Sequence, residues 1–234
     1  MRIATVSCHV ERPLDQRCWA AFSELQARRP GGFGIAALMR PPDPDESETL
    51  WLAHARIAAA RGPLGHHTHW GGATQARPLE SGAAERVRRE ATWFRERGLE
   101  PRLFCGGGWY MDESVAAALA ELGYTDCTAT AFRPPYLEAG ARRLELAEPS
   151  WLRVGDSRLL ELPATHSLGM AVRGAVSRLP RYVHVYFHDT DLLDARRRRA
   201  LTTALGLIAR RRRPTPLDAV TAEAETAFSG QLRE

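Results

Sequence analysis

Three imidazoles fall within four positions in Gly65-His66-His67-Thr68-His69-Trp70, directly behind Arg61-Gly62-Pro63-Leu64. Neutral imidazole is the commonest side-chain metal ligand, and two at close spacing can grip one divalent ion. Comparable polar groups stand in two other places. His9 and Glu11 follow the apolar run Ile3-Ala4-Thr5-Val6, and His188 and Asp189 follow Tyr182-Val183-His184-Val185-Tyr186-Phe187. Three strand-like runs, each ending in histidine or carboxylate, point to one shared site at the carboxyl edge of an α/β sheet. A cation held there would lower the pKa of bound water to about 7, making hydroxide available at neutral pH.

The elements that must position these groups alternate short β-like runs with helical ones, which predicts an α/β fold with a mainly parallel sheet. Strands are expected over about Arg2 to Ser7, Gly34 to Met39, Pro101 to Phe104, Leu159 to Pro163 and Tyr182 to Phe187. The His-rich segment should occupy a strand end and the loop beyond it. Pro41-Pro42-Asp43-Pro44-Asp45 breaks the chain before a helix near Glu46 to Ala60. Ser81 is the expected N-cap of a helix running to Arg97, with Ala84, Val87, Ala91 and Phe94 on one face and Gly98 closing it. Asp112 should cap the next helix, whose Val115, Ala118, Leu119 and Leu122 recur at helical spacing before Gly123. Asp194 should cap another that turns Leu201, Ala204, Leu205 and Ile208 inward. A short helix or tail is expected after Pro216.

With 234 residues and 44% hydrophobic content, the chain reads as one domain over residues 1 to 234. No apolar run approaches the length that spans a bilayer. The first residues reach His9 and Glu11 before a signal-peptide core could form, so a cytoplasmic location is expected. Cys8, Cys18, Cys105 and Cys127 have no paired spacing and read as reduced thiols. The net charge of +4 invites a nucleic-acid reading, but all 32 basic residues are arginine, with no lysine and no asparagine in the chain. That bias fits a GC-rich coding background, and neither Arg196 to Arg199 nor Arg210 to Arg213 is interleaved with aromatics. Both runs read as solvated faces of one helix, and neither a nucleic-acid nor a membrane partner is expected.

The order of motifs resembles the polysaccharide deacetylase superfamily. Ser7-Cys8-His9-Val10-Glu11 stands where that family opens with an acidic pair, and Gly65-His66-His67-Thr68-His69-Trp70-Gly71 stands at its histidine loop. Phe104-Cys105-Gly106-Gly107-Gly108-Trp109 takes the place of the Phe-Arg-x-Pro segment, and Tyr186-Phe187-His188-Asp189 that of the late His or His-Asp strand end. The resemblance covers roughly residues 1 to 210 and rests on order and spacing, since no single motif is intact. It implies an α/β fold of the distorted (β/α)7 barrel type. His9 replaces the family's carboxylate base, Gly71 stands where its second histidine belongs, and Cys105 replaces the arginine that organises the base. Phe132-Arg133-Pro134-Pro135-Tyr136 copies the third motif letter by letter, but it lies after the helix that should follow that motif and is set aside as a loop coincidence.

What the resemblance implies is metal-assisted hydrolysis of an N-acyl group on an amino sugar or small glycan precursor. Glu11, His67 and His69 would hold a divalent ion, zinc first among the candidates, with open positions left for water and substrate. His9 would act as base, or as a third metal nitrogen, and His188 as acid for the departing amine, with Asp189 orienting it or lining the pocket. Trp70, Gly107, Trp109 and His166 are candidates to line the substrate pocket, the tryptophans by stacking on a sugar ring. His66 should turn into the wall, and His54 and His184 read as structural. The bland alternatives stay open: a loop of hydrogen-bonded histidines, a half-buried His9, a His188-Asp189 pair that caps its own loop. Two rival functions stay open with them. One is another metal-dependent C–N or phosphoester hydrolase, the other a catalytically silent sugar-binding or regulatory barrel.

Overall fold

The computed structural model describes residues 2–71, 75–78 and 81–231. Ten strands and seven α-helices follow one another as β1 (Ile3–Val10), α1 (Gln16–Arg28), β2 (Ala36–Met39), α2 (Glu48–Arg61), β3 (Leu64–Thr68), α3 (Ala83–Glu96), β4 (Leu103–Gly106), α4 (Glu113–Leu122), β5 (Thr125–Asp126), β6 (Ser150–Val154), β7 (Ser157–Glu161), β8 (His166–Ser167), α5 (Leu168–Gly174), β9 (Tyr182–His188), α6 (Ala195–Ala209), β10 (Arg213–Pro214) and α7 (Leu217–Gln231). The strands form one sheet in the order β6-β7-β5-β4-β3-β2-β1-β9-β8, with β10 on β1. Every pairing is parallel except β6 with β7. β7 and β8 lie near opposite ends of that order yet are parts of one stretch, residues 157–167. The sheet therefore curls round on itself, and Ala164 bridges to Thr130 beyond β5.

Alternation along each strand sorts side chains onto two faces. On β1, Ala4, Val6, Cys8 and Val10 join the outer core beneath the helices, with Phe22, Trp51, Phe94, Val185, Phe187 and Leu205. The other face is the curl's interior, where Ile3, Leu38, Leu103, Cys105, Leu160, Tyr182 and Tyr186 pack together. A third cluster under α3 and α4 contains Val87, Phe104, Leu119 and Trp70.

Several boundaries differ from the sequence reading for identifiable reasons. β1 runs on to Val10 because Cys8 and Val10 complete the outer core, so His9 lies inside the strand. α3 begins at Ala83 behind Gly82, whose φ of 98° only glycine adopts readily, and Ser81 is not its cap. The terminal helix α7 is 15 residues long. The caps at Asp112, Asp194 and Gly123 form as expected. The arginine runs are not simply solvated faces. Arg211 donates to the carbonyls of Ala175 and Ser177, and Arg212 to that of Pro180, clamping the turn before β9. Arg197 and Arg198 reach back to Asp191 and Leu192 in the turn after β9. Among the described residues no helix is long and apolar enough to cross a membrane, and all four cysteines are free and buried.

Candidate metal centre

Register alone brings the singled-out residues together. His9 pairs with His188 across β1 and β9, and with Leu38 on β2, which in turn pairs with Gly65. Counting two residues on, Glu11 comes level with His67. Glu11 lies just past the strand, where the chain is held from both sides. Arg40 Nε donates to the Glu11 carbonyl, and the Arg12 N–H donates to Asp189 Oδ2. Arg40 is itself buried and paired with Glu46 at 2.8 Å.

The Glu11 carboxylate is the focus of the site. Its Oε1 lies 3.3 Å from His69 Nε2, 3.5 Å from His188 Nε2 and 3.7 Å from His67 Nε2. Burial works to raise the Glu11 pKa, but His67 and His69 beside it and the charge of His188 hold it well below the usual carboxylate range. It is therefore an anion facing three imidazole nitrogens.

His67 shows most directly what the cluster suits. Its Nδ1 lies 2.9 Å from the Cys105 carbonyl, and since a carbonyl only accepts, Nδ1 carries the proton. The remaining Nε2 is buried, with no hydrogen-bond partner. Burial holds the ring pKa below the ordinary histidine value, so the ring is neutral and Nε2 presents a bare lone pair. A ligating imidazole characteristically donates its other N–H to a carbonyl or carboxylate in this way. Ligand atoms of Glu11, His67 and His69 all lie within 4.8 Å of one another, a donor set that fits zinc or another borderline divalent cation.

Two further histidines face this set. His9 is buried, its ring 4.6 Å from that of His67 and 5.2 Å from that of His188, against which it stands edge-on. Burial, and then the nearness of His67 and His188, push its pKa well below the ordinary value. His188 goes the other way. Burial would lower its pKa, but contact with Asp191 and the charges of Glu11 and Asp191 raise it. Asp191 is the residue that sequence reasoning missed. Its Oδ2 accepts from the His188 backbone N–H at 3.0 Å and lies 3.7 Å from His188 Nδ1, and Arg197 pairs with its Oδ1 at 2.9 Å. The only available signal was an aspartate three residues after a strand-end histidine, the spacing of a reciprocal cap.

Asp189 directs its carboxylate to backbone donors. It is buried, accepts from the backbone N–H groups of Arg12 and Thr190, and so ties the β1 end to the β9 end. Trp70 bonds away from the cluster as well. It packs under α3 and α4 and donates its Nε1–H to the Gly107 carbonyl. Gly107 contributes closeness rather than a contact surface, since a Cβ there would lie 2.5 Å from the carbonyl oxygens of Thr68 and Ala76. His166 pairs in register with Val185, whose side chain lies in the outer core, so it is not brought to the cluster. His66 turns into the wall, 2.7 Å from Glu90. His184 bonds Ser7 inside the curl, and His54 stacks on Trp19.

Trp109 does reach the cluster. It is buried with its ring 5.4 Å from His9 and 4.8 Å from Tyr186, on a backbone with φ of 59°. Such a φ is uncommon for a tryptophan and is the kind of strain that collects at functional sites. Its Nε1–H donates to the Tyr136 hydroxyl at 2.6 Å, and Phe132 stacks on Tyr186. The Phe132 to Tyr136 segment thus follows β5, and its two aromatic ends back Tyr186 and Trp109, the rings that stand beside His9.

No protein-family model matches the chain, and no curated protein matches it by sequence. Solved structures do match by shape. A protein assigned as a polysaccharide deacetylase from Mycobacterium smegmatis superposes with a TM-score of 0.63 at 14% identity, over 88% of this chain and 83% of its own. A 4-alpha-glucanotransferase from Thermococcus litoralis gives 0.58 at 12% identity, over 94% of this chain but only 38% of its own. A family 4 carbohydrate esterase from Streptomyces lividans, solved with acetate, gives 0.50 at 11% identity, over 89% of this chain and 86% of its own. At these identities the likeness is one of fold: the chain has the curled α/β barrel of the polysaccharide deacetylase type. A glucanotransferase among the matches shows that this barrel also carries other chemistry, so function has to be argued from the site.

Proposed function

We propose that this chain is a metal-dependent deacylase that removes an N-acyl group, acetyl foremost, from an amino sugar or small glycan precursor. The observation that carries the reading is the convergence of three imidazole Nε2 atoms on Glu11 Oε1 within 3.3 to 3.7 Å, one of them buried and making no hydrogen bond. Glu11, His67 and His69 would hold the ion, for which zinc suits the donor set. A divalent cation bound there supplies water that ionises near neutral pH and polarises the amide carbonyl.

The remaining residues divide the proton work. His9, neutral because it is buried, accepts the proton given up by the attacking water at a ring nitrogen. His188, held protonated by Asp191 and Glu11, delivers a proton to the amine nitrogen as the C–N bond breaks. One histidine gains a proton and the other loses one, and the products are a carboxylic acid and a free amine. Two groups of one chemical type pushed to opposite pKa values are what such a division requires. Asp191 positions His188, and Arg197 positions Asp191. Tyr136, exposed and held by the buried Trp109 behind it, offers an aromatic surface against which the apolar face of a sugar ring can pack.

The test is acetate release from N-acetylated amino-sugar oligomers and sugar nucleotides by the zinc-loaded protein. Glu11→Ala is expected to lose about a hundredfold or more of the turnover, the scale on which such site groups act. Undiminished turnover in that variant would contradict the reading. Faster release from intact peptidoglycan than from sugar nucleotides would contradict the choice of a precursor.

A further inference from the structure

His67 belongs to a second set of possible ligands. His9, His67 and Cys105 are all buried, and one ligand atom from each lies within 4.8 Å of the other two. The imidazole has a single free lone pair, because Nδ1 is committed to the Cys105 carbonyl. His67 can therefore serve an ion on the Glu11 and His69 side or one on the His9 and Cys105 side, but not both at once. The two sets differ in chemistry. The outer one offers two nitrogens and a carboxylate oxygen. The inner one offers two nitrogens and a sulfur, and thiolate sulfur selects soft, thiophilic cations.

We propose that the centre has a second, inner metal position built from His9, His67 and Cys105, which takes a soft divalent cation and competes with the outer position for His67. Three observations support it: the mutual reach of the ligand atoms, the buried His67 Nε2 that makes no hydrogen bond, and the His9 ring 4.6 Å from the His67 ring. Binding replaces the thiol proton of Cys105 with the ion, the proton leaving to solvent. An ion in the inner position would take up His9 and His67 together, removing both the base and a ligand of the outer set. The inference rests on the proposed metal centre but not on its deacylase activity.

Cadmium is the probe, read by the thiolate-to-metal charge-transfer absorbance and by equilibrium dialysis on metal-stripped protein. The expected result is a charge-transfer band saturating at one Cd2+ per chain, absent from Cys105→Ser and kept by Glu11→Gln. Excess zinc should weaken apparent cadmium binding in wild type, since both ions need His67. If Cys105→Ser does not fold, His9→Gln with Cys105 intact decides, with cadmium affinity expected to fall roughly tenfold or more, since even partners outside the ligand shell are worth that much. No band in wild type, a band that survives in Cys105→Ser, or equal cadmium affinity in His9→Gln would each overturn the inner position. Because the readout is absorbance and stoichiometry, such a failure is distinct from a protein that binds metal but cleaves no amide.

Discussion

Asp191 lies between an imidazole and a guanidinium, bonded to the backbone of His188 on one side and paired with Arg197 on the other. Replacing it with asparagine keeps an acceptor and removes the charge, so the pKa of His188 should fall. A general acid works only while protonated, so the alkaline limb of the kcat/KM profile should move to lower pH in Asp191→Asn. Turnover at about pH 8 should drop roughly tenfold or more. An unmoved alkaline limb would show that Asp191 does not support the acid. The metal candidates were legible as residues because histidines are few, eight in the chain, and those of the site stood with Glu11 at the ends of strand-like runs. Asp191 and Tyr136 were not legible, because their roles depend on a turn that folds back and a loop that returns, and local pattern encodes neither.

β3 has its histidines divided between its two faces, and what fixes the division is its bond to α3. Glu90 Oε2 lies 2.7 Å from His66 Nε2 and accepts from the Thr68 hydroxyl at 2.8 Å, while its Oε1 accepts from Arg86. With His66 and Thr68 held outward, alternation turns His67 and His69 inward. Glu90 is buried, so Glu90→Ala would leave His66 and Arg86 without their anion at a cost of about 3 kcal/mol, the scale for removing one partner of a buried pair. Urea unfolding should show that loss, and zinc affinity should fall roughly tenfold as the ligands lose their anchor. A change in stability under about 1 kcal/mol would remove Glu90 from this role. Most element positions were readable from periodicity and caps. The start of α3 was not, because a left-handed Gly82 replaces the side-chain cap that Ser81 suggested.

At the scale of the whole molecule, closing a sheet on itself places carboxyl groups where water cannot reach them. Asp189, in the seam between the ends of β1 and β9, has its pKa pushed up to about 6 by burial and by the charge of Glu11, against the pull of the Arg12 and Thr190 N–H groups. An unfolded aspartate titrates near about 4, so this group favours the native state most below that pH. Its contribution, roughly 3 kcal/mol, is lost as pH rises from about 4 through about 6. Asp189→Asn should remove that slope, so the stability gap between wild type and variant should narrow or reverse over this range in urea titrations. A gap constant with pH would contradict the raised pKa. The barrel class was legible from strand and helix order together with motif order. The way residues 157–167 close the curl was not, since one stretch pairs with β5 at its start and with β9 at its end. What the closed sheet accomplishes is to bring Glu11, His67 and His69 to one rim, where together they would hold a cation. Zinc uptake by chelator-stripped protein tests this most directly. Wild type should take up one ion per chain and folded His67→Ala none, whereas no uptake by wild type, or equal uptake by both, would contradict it.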